Sequence, residues 1–251
     1  MRYFATISYQ GTNYSGWQIQ PHSPSVQEII QKKLSTLLKS ETKITGCGRT
    51  DAGVHAKGYV LHFDTEIPFD DTLLFKINKM LPNDIVFHKV TEVEPSAHTR
   101  FDANYRAYQY FIGAKKDPFN TDIVYHYPMF HKLNKDRMQA AAKLLLEYKE
   151  FTPFCKTHSD AKTMICDLHQ SEWNFDKEGR MVYHIAANRF LRGMVRLIVG
   201  MCLNVGLGKV KIETVRAAMD NQTLLTKSLS APPHGLFLMD IRYPNVSGLE
   251  I

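Results

Sequence analysis

Hydrophobic and polar positions in the N-terminal part of the chain follow two different periods. A period of two over residues 3–9 predicts a strand, and Ser25 with Glu28 forms a capping box ahead of apolar residues at helical spacing. The remaining elements follow in chain order: a strand ending at residues 43–45, a strand at 59–63, a helix capped by Asp70 or Asp71, and a strand at 85–90. The order strand-helix-strand-strand-helix-strand is that of a ferredoxin-like unit.

The second part of the chain repeats this order of elements. Its predicted elements are a strand at 105–112, a helix capped by Asn134, paired strands at 173–175 and 181–187 around a turn at 177–179, a long helix from about 190 to 204, a short helix at 212–219 and a last strand at 236–241. We therefore expect an α+β fold of two ferredoxin-like units side by side, with mixed, mostly antiparallel sheets and a central catalytic cleft. The expected domains are residues 1–98 and 99–251.

Composition adds a charge bias and a redox environment. The 251 residues include 31 Lys and Arg against 25 Asp and Glu, a net charge of +6, which favours a polyanionic partner such as nucleic acid. The four cysteines form no Cys-x-x-Cys pair, so neither a disulfide framework nor a zinc site is indicated, and reduced thiols in a cytosol fit best. The start of the chain lacks the apolar core of a signal peptide, and no apolar run is long enough to span a bilayer, so we expect a soluble protein.

The candidate chemistry centres on residues 46–56, which read Gly-Cys-Gly-Arg-Thr-Asp-Ala-Gly-Val-His-Ala between two predicted strands. Asp51 is a single carboxylate among small residues, and the glycines allow another molecule to approach the main chain closely. An acid on a tight loop between strands is exposed and rigidly held, as catalysis requires. Asp beside Gly is also ordinary turn chemistry. A dinucleotide-binding loop is rejected, because its glycines must open a helix and a strand follows here.

Four stretches of the sequence resemble the TruA family of tRNA pseudouridine synthases. These stretches are residues 7–20, 48–56, 194–200 and 230–238. The match at the loop is the most specific, because it combines several kinds of side chain over nine consecutive residues. The resemblance runs in the expected order from Ile7 to Leu238. It implies that Asp51, in the N-terminal domain, is the catalytic aspartate.

Two tyrosines on the strand at 105–112 differ in their interpretation. Tyr108 and Tyr110 share one face of this strand, and we interpret Tyr110 as a core or sheet-surface residue. The pattern Arg-x-Tyr-x-Tyr at residues 106–110 resembles the family motif whose first tyrosine stacks on the target base, which assigns that role to Tyr108 in the C-terminal domain. Stacking offsets part of what an extruded base loses, and the hydroxyl could also help to remove a proton from the base.

Three arginines, Arg189, Arg192 and Arg196, are spaced three and four apart and are predicted to share one face of the long helix. A basic helix surface explains the spacing equally well. The resemblance assigns Arg196 as the partner of the catalytic aspartate, since an arginine keeps a carboxylate in a half-buried cleft ionised. It also has Arg49 pushing into the RNA stack where the base leaves, although a surface arginine is the plainer interpretation. Arg189 and Arg192 are further candidates for substrate binding; the role of Arg192 is open, because the family usually has histidines where residues 191–193 read Leu-Arg-Gly.

The resemblance implies isomerisation of uridine to pseudouridine at tRNA positions 38 to 40, in the anticodon stem-loop. It implies a cytoplasmic homodimer that holds tRNA across both subunits and needs no metal or cofactor. Since no metal-ligand spacing groups the histidines, we expect His55 and the others to be structural or RNA-facing. Asp51 could attack C1′ of the ribose to form an ester, or take the 2′ proton to give a glycal-like intermediate, and both routes remain open.

Two other functions use parts of the same pattern. A binding-only protein of RRM-like units would explain the order of elements and the charge, but no basic-Gly-aromatic RNP pattern lies on a central strand, and Asp51 would have no purpose. A hydrolytic N-glycosidase or nucleosidase would also act at C1′, but should bring a second acid or a metal to activate water. Asp64 and Glu66 lie a strand's length from Asp51, so this function ranks low.

Overall fold

The computed structural model describes residues 1–156, 162–176, 179–225 and 230–246. These residues divide into two compact units, the first comprising Met1–Arg106 with the chain from Phe237, and the second Ala107–Leu236. The predicted turn at 177–179 includes residues 177–178, which lie outside the described residues. The chain is of the predicted α+β class, with strand pairs that are mostly antiparallel.

The first unit has the predicted order of elements. These are β1 (Arg2–Tyr9), α1 (Val26–Leu38), β2 (Ile44–Gly46), β3 (His55–Asp64), α2 (Asp71–Met80) and β4 (Ile85–Val93), and they are joined by the last strand, β9 (Leu236–Arg242). The strands lie in the order β4-β1-β3-β9, and β2 also pairs with β3. All of these pairs are antiparallel except β3 with β9, which runs parallel through His55 opposite Phe237.

The two helices of the first unit begin where the sequence predicts. Ser25 accepts a hydrogen bond from the Glu28 backbone N–H at 3.3 Å, and α1 then buries an apolar stripe at helical spacing. Asp70, rather than Asp71, is the cap of α2, because its carboxylate accepts from the Leu73 N–H at 2.8 Å. Each cap satisfies a backbone donor that the helix itself leaves without a partner.

The second unit carries the remaining elements. These are β5 (Tyr105–Gly113), β6 (Tyr125–His126), α3 (Lys135–Leu144), β7 (Leu168–Phe175), β8 (Arg180–Ala187), α4 (Met194–Gly206) and α5 (Ile212–Asp220). Its strands lie in the order β5-β8-β7, and β6 pairs with β5 in parallel. Asn134 caps α3 as predicted, accepting from the Arg137 N–H at 2.9 Å. Helices α3 and α4 pack closely, since a Cβ on Gly206 would come within 2.7 Å of the Met138 side chain.

The long helix begins later than the sequence predicts. The prediction starts α4 at about residue 190, but Gly193 has φ +71° and serves as its N-cap, so the helix starts at Met194. Of the three arginines predicted to share one helical face, only Arg196 lies on α4, and that prediction is wrong for Arg189 and Arg192. The physical reason is the left-handed backbone at Gly193, which interrupts the helical path.

The division between the two units differs from the predicted boundary at 98/99. The described chain divides between Arg106 and Ala107, and β9 lies with the first unit because it pairs with β3. As a boundary between domains that fold independently, residues 98/99 stay a prediction.

We expect Asp70→Ala to lower the free energy of unfolding by about 1 kcal/mol, because the first turn of α2 loses its cap. Asp71→Ala is the matched control, since it removes an exposed acid from the same turn without removing the cap. Asp71→Ala should lower the free energy of unfolding by about 0.3 kcal/mol, because it removes only the interaction of the acid with the helix dipole. Urea unfolding followed by circular dichroism measures both, and equal losses for the two variants would contradict the capping role of Asp70.

Candidate active site

Asp51 lies on the loop between β2 and β3 and is half-buried. Its carbonyl oxygen accepts a hydrogen bond from the Val54 N–H at 3.2 Å, which closes a tight turn. Gly53 within this turn has φ +75°, a left-handed conformation that L side chains rarely adopt. The turn therefore fixes the backbone that carries the carboxylate.

Residues 14–17, which follow β1, hold the Asp51 loop in place through main-chain hydrogen bonds. The Thr50 carbonyl accepts from the Trp17 N–H at 3.3 Å, and the Tyr14 carbonyl accepts from the Gly53 N–H at 3.3 Å. A Cβ on Gly16 would clash with the Thr50 carbonyl, so the glycine permits this close approach of two backbones. Both sides of Asp51 are thus held by main-chain hydrogen bonds to residues 14–17.

A buried aromatic pair lies at the start of the loop. Trp17 and Tyr59 stack with ring centroids 4.1 Å apart, and the Tyr59 hydroxyl donates to the Gly48 carbonyl at 2.5 Å. Burial raises the pKa of Tyr59 well above its usual value, so the hydroxyl stays protonated and remains a donor. A side chain on Gly46 would clash with Trp17 and the Tyr59 hydroxyl, which explains that glycine.

The neighbouring thiol is not a candidate nucleophile. Cys47 is fully buried, and burial raises the pKa of its thiol to about 12. A cysteine acts as a nucleophile through its thiolate, which is scarcely formed at neutral pH under these conditions. Among the titratable side chains between β2 and β3, this leaves Asp51 as the group suited to attack.

Asp84 orients the segment that supports the loop. Its carboxylate accepts from the Tyr14 hydroxyl at 2.6 Å and from the Asn13 side chain at 3.1 Å, and its carbonyl accepts from the Gln10 N–H at 2.9 Å. Burial, followed by the hydrogen bond to Asp84, raises the pKa of Tyr14, so this hydroxyl also stays protonated. Sequence reasoning missed both residues, because their pairing is a long-range contact between the start of the chain and the start of β4.

His55 is structural. It is fully buried, its ring stacks on Phe237 at 4.5 Å, and its Nδ1 accepts from the Gly11 N–H at 3.0 Å. Of the two interpretations left open by the sequence, the buried position excludes the RNA-facing one. His55 instead ties β9 and the turn after β1 to the end of the Asp51 loop.

The two tyrosines of β5 differ in burial, and Tyr110 is the one that lies in the core. Tyr110 is fully buried, and its hydroxyl donates to the Pro232 carbonyl at 2.8 Å. Tyr108 is half-buried, and its ring meets that of Phe190 edge to face, with centroids 5.2 Å apart and an interplanar angle of 90°. Such T-shaped packing fixes the orientation of a ring. Tyr108 is therefore an ordered aromatic residue that remains partly accessible.

Arg196 lies in the first turn of α4 and is bonded to the loop before β9. Its Nε donates to the Ala231 carbonyl at 2.6 Å, and its own carbonyl accepts from the Ala231 N–H at 3.0 Å. These reciprocal bonds set the direction of the guanidinium group. The first turn contains no acid, so Arg196 places a cation at the positive end of the helix dipole, which is unfavourable unless another role compensates.

The loop at residues 230–235 therefore binds one candidate side chain, Arg196, and one buried tyrosine, Tyr110. Ala231 binds Arg196 and Pro232 binds the Tyr110 hydroxyl. A Cβ on Gly235 would come within 2.8 Å of the Tyr110 ring. The resemblance at residues 230–238 was the available signal, but the local pattern is only that of a loop.

The other predicted arginines occupy different settings. Arg49 is exposed and lies two residues before Asp51 on the same loop. Arg189 and Arg192 precede α4 in the second unit; Arg189 is half-buried near the Cys166 thiol, and Arg192 is exposed. Asp51 and Arg49 belong to the first unit, whereas Tyr108 and Arg196 belong to the second. The predicted pairing of Asp51 with Arg196 stays a prediction.

No group of three or more His, Cys, Asp or Glu side chains among the described residues could hold a metal ion. No helix in the described part of the chain is long and apolar enough to cross a membrane.

Comparison with known proteins relates the chain to a family. A family model described as tRNA pseudouridine synthase matches residues 5–105 and 141–244. A protein of Bacteroides thetaiotaomicron named tRNA pseudouridine synthase A is 47% identical over 247 residues, covering 97% of this chain and 91% of the relative. A Bacillus subtilis protein of the same name is 34% identical over 250 residues, covering 98% of this chain and 100% of the relative. The resemblance seen in the sequence is thereby confirmed, and the chain belongs to the tRNA pseudouridine synthase family.

Proposed function

We propose that this protein isomerises uridine to pseudouridine in tRNA, at positions 38 to 40 of the anticodon stem-loop. The observation that carries the proposal is the rigidly held, half-buried Asp51 on a loop of a chain that belongs to this family. Two curated relatives that cover almost the whole chain are named for this activity on tRNA. The excess of basic side chains suits a polyanionic substrate.

Asp51 is the group that we assign to cleavage of the C1′–N1 bond. In one route its carboxylate oxygen attacks C1′, and the uracil leaves with the bonding electrons. The freed base rotates, its C5 attacks C1′ and the carboxylate leaves. A base then removes the C5 proton, and N1 takes up a proton, so that no proton is gained or lost overall. In the other route Asp51 takes the proton on C2′ as uracil leaves, giving a glycal-like intermediate. Return of that proton to C2′ makes C1′ electron-deficient, C5 attacks C1′, and the C5 proton is lost to a base while N1 takes up a proton. The product has the same atoms as the substrate in either case.

The second unit supplies the other proposed roles. Tyr108 stacks on the extruded uracil, helped by the edge-to-face contact with Phe190 that orders its ring. Arg196 pairs with the carboxylate of Asp51, and its fixed bond to Ala231 supports this role by limiting the directions in which the guanidinium can point. Arg49, exposed on the Asp51 loop, enters the space left by the base. Arg189 and Arg192 bind RNA phosphates.

We assign the enzyme to the cytoplasm as a homodimer that holds tRNA across both subunits, without metal or cofactor. A binding-only protein of RRM-like units is not favoured, since nearly the whole chain is similar to proteins that are named as enzymes. Incubation with an unmodified tRNA transcript, followed by mass analysis of the nucleosides, tests the function directly. Pseudouridine supports the proposal, free uracil indicates a hydrolase, and an unchanged transcript indicates a binding protein.

Asp51→Asn should abolish pseudouridine formation, with single-turnover rates reduced at least roughly a thousandfold. The amide preserves the size of the side chain but can act neither as a nucleophile nor as a base. Affinity for tRNA should stay within a few-fold, because phosphate contacts dominate it. Glu66→Gln is the control, since it neutralises an exposed acid after β3. Turnover of the Asp51 variant near the wild-type rate would remove this residue from the mechanism.

Arg196→Met should lower the single-turnover rate by roughly a hundredfold, the scale observed when one charge-stabilising donor is removed from an active site. Methionine keeps the aliphatic packing in the first turn of α4 but removes the guanidinium. Arg192→Met is the matched control, because this arginine is exposed and precedes the helix. It should weaken tRNA binding and leave the rate at saturating tRNA unchanged. Identical behaviour of the two variants would contradict the special role of Arg196.

Substitutions at Tyr108 separate stacking from proton transfer. Tyr108→Phe keeps the ring, whereas Tyr108→Leu loses it, and base stacking on an aromatic residue is worth about 1–3 kcal/mol. We therefore expect the Leu variant to turn over roughly ten- to a hundredfold more slowly at saturating tRNA. Near-normal activity of the Phe variant assigns Tyr108 to stacking, and a severe loss assigns its hydroxyl to proton transfer. Loss of thermal stability and tRNA binding in both variants would show a core residue instead.

A further inference from the structure

Phe101 is an aromatic side chain that the fold leaves exposed. It lies between β4 and β5, and 73% of its surface is accessible. Its ring contacts the His98 ring at 4.3 Å, and the Arg100 guanidinium lies 5.7 Å from the ring centroid. These two contacts leave most of the ring open to another planar group. A single exposed apolar side chain is common on protein surfaces, so the exposure of Phe101 indicates a partner only together with the charge and the rigid backbone beside it.

The neighbouring Arg100 forms no salt bridge with a carboxylate of the described residues. It is exposed, and no Asp or Glu among the described residues lies within salt-bridge distance of it. Its backbone N–H donates to Nδ1 of His98 at 3.1 Å, which orders the main chain while the guanidinium remains at the surface. Arg100 and Phe101 together present one positive charge and one aromatic face.

The turn that carries this pair is rigid. The Asp102 carboxylate accepts from the His98 N–H at 2.7 Å, and the Asp102 N–H donates to the His98 carbonyl at 3.0 Å. The buried Tyr243 hydroxyl donates to the Thr99 carbonyl at 2.7 Å. A surface held in one conformation before binding loses little conformational entropy when a partner arrives.

The same turn is bonded to the base of the Asp51 loop. The Thr99 hydroxyl donates to the Thr45 carbonyl at 3.1 Å, and the Arg106 guanidinium donates to the carbonyls of Arg100 at 2.9 Å and Cys47 at 3.4 Å. The His62 ring lies against Thr99, with Nδ1 2.9 Å from the Thr99 hydroxyl and 3.3 Å from the Thr99 backbone nitrogen, and burial lowers the pKa of His62 to about 4, so the ring is neutral at pH 7. The exposed pair therefore has a fixed position relative to the loop that carries the catalytic acid.

We infer that Arg100 and Phe101 form an RNA-contact surface, in which Phe101 stacks on an unpaired base of the tRNA and Arg100 binds an adjacent phosphate. This inference rests on the proposed function. Stacking suits any base, because every base has a π-face, and the arginine supplies the charge complementarity that an RNA backbone requires. Single-stranded or looped RNA is the form whose bases are accessible for stacking, which excludes a regular duplex as the partner.

Equilibrium binding of an unmodified tRNA transcript, measured over a series of salt concentrations, tests the surface. Phe101→Ala should raise Kd roughly tenfold without changing the salt dependence, since it removes stacking alone. Phe101→Tyr should restore wild-type affinity. Arg100→Ala should reduce the slope of log Kd against log salt by about one, the effect of losing one phosphate contact. A loop-free RNA duplex should bind the wild type and the Phe101 variants equally.

Two matched controls separate this position from exposure and charge in general. Phe75 is 64% exposed on α2, with the Lys79 ammonium 5.5 Å from its ring, so Phe75→Ala removes a similar exposed pair elsewhere. Arg216 is exposed but paired with Glu147 at 2.8 Å, so Arg216→Ala changes the net charge equally. Both variants should bind the transcript like the wild type. Equal losses in the controls would overturn the inference, as would wild-type affinity of Phe101→Ala.

A spectroscopic measurement reports on stacking itself. Phe101→Trp adds an exposed indole to a chain whose own tryptophans, Trp17 and Trp173, are buried. Its emission should be quenched when the transcript binds and should not respond to the duplex. Unquenched emission, or a change in oligomeric state of Phe101→Ala with unchanged RNA affinity, would assign the surface to protein contacts and overturn the inference.

Pseudouridine formation by the wild type distinguishes the two possible failures. If the wild type modifies the transcript while the Phe101 and Arg100 variants bind it normally, the inferred surface is wrong and the proposed function stands. If the wild type neither binds nor modifies tRNA, the proposed function fails first.

Discussion

The close approach of two backbones beneath Asp51 is the constraint on which the candidate site depends. The Thr50 carbonyl can reach the Trp17 N–H only because Gly16 has no side chain to obstruct it. A bulkier residue at that position would separate the loop from its support and would release the carboxylate from its fixed position. In either proposed route the carboxylate must be held within a fraction of an ångström of its productive geometry, and the rigid loop meets that requirement.

The Asp51 loop is rigid because residues of the hydrophobic core also form hydrogen bonds to it. Trp17 and Tyr59 belong to the buried layer of the first unit, yet Tyr59 ends in a hydroxyl bonded to the Gly48 carbonyl at the start of the loop. Tyr14 does the same on the other side, where Asp84 holds its hydroxyl and its carbonyl holds Gly53. Aromatic residues with one polar atom can both fill the core and bind a loop, which an aliphatic core cannot do.

The sequence predicted those features of the fold that depend on residues close together along the chain. The caps at Ser25 and Asn134 and the turn chemistry around Asp51 each depend on residues within a few positions, and the structure contains all three. The start of α4 was not predictable in the same way, since apolar spacing continues through residues that the left-handed Gly193 excludes from the helix. The hydrogen bond from Arg196 to Ala231 joins residues 35 positions apart, and the spacing of apolar residues along the chain cannot predict a contact over that distance.

If the loop that carries Asp51 does not move, the RNA must change its conformation to bring a uridine to the carboxylate. An extruded uridine loses its stacking at a cost of a few kcal/mol, and a loop that cannot move contributes nothing to that cost by adapting. The compensating interactions must therefore come from other surfaces that engage the RNA away from the reacting carbon, since remote binding energy can offset distortion at the reaction centre. A turn that is bonded to the same loop and ordered before binding can deliver such energy in a fixed register with Asp51. That connection, rather than exposure alone, supports the proposed role of the segment from His98 to Arg106 in binding RNA.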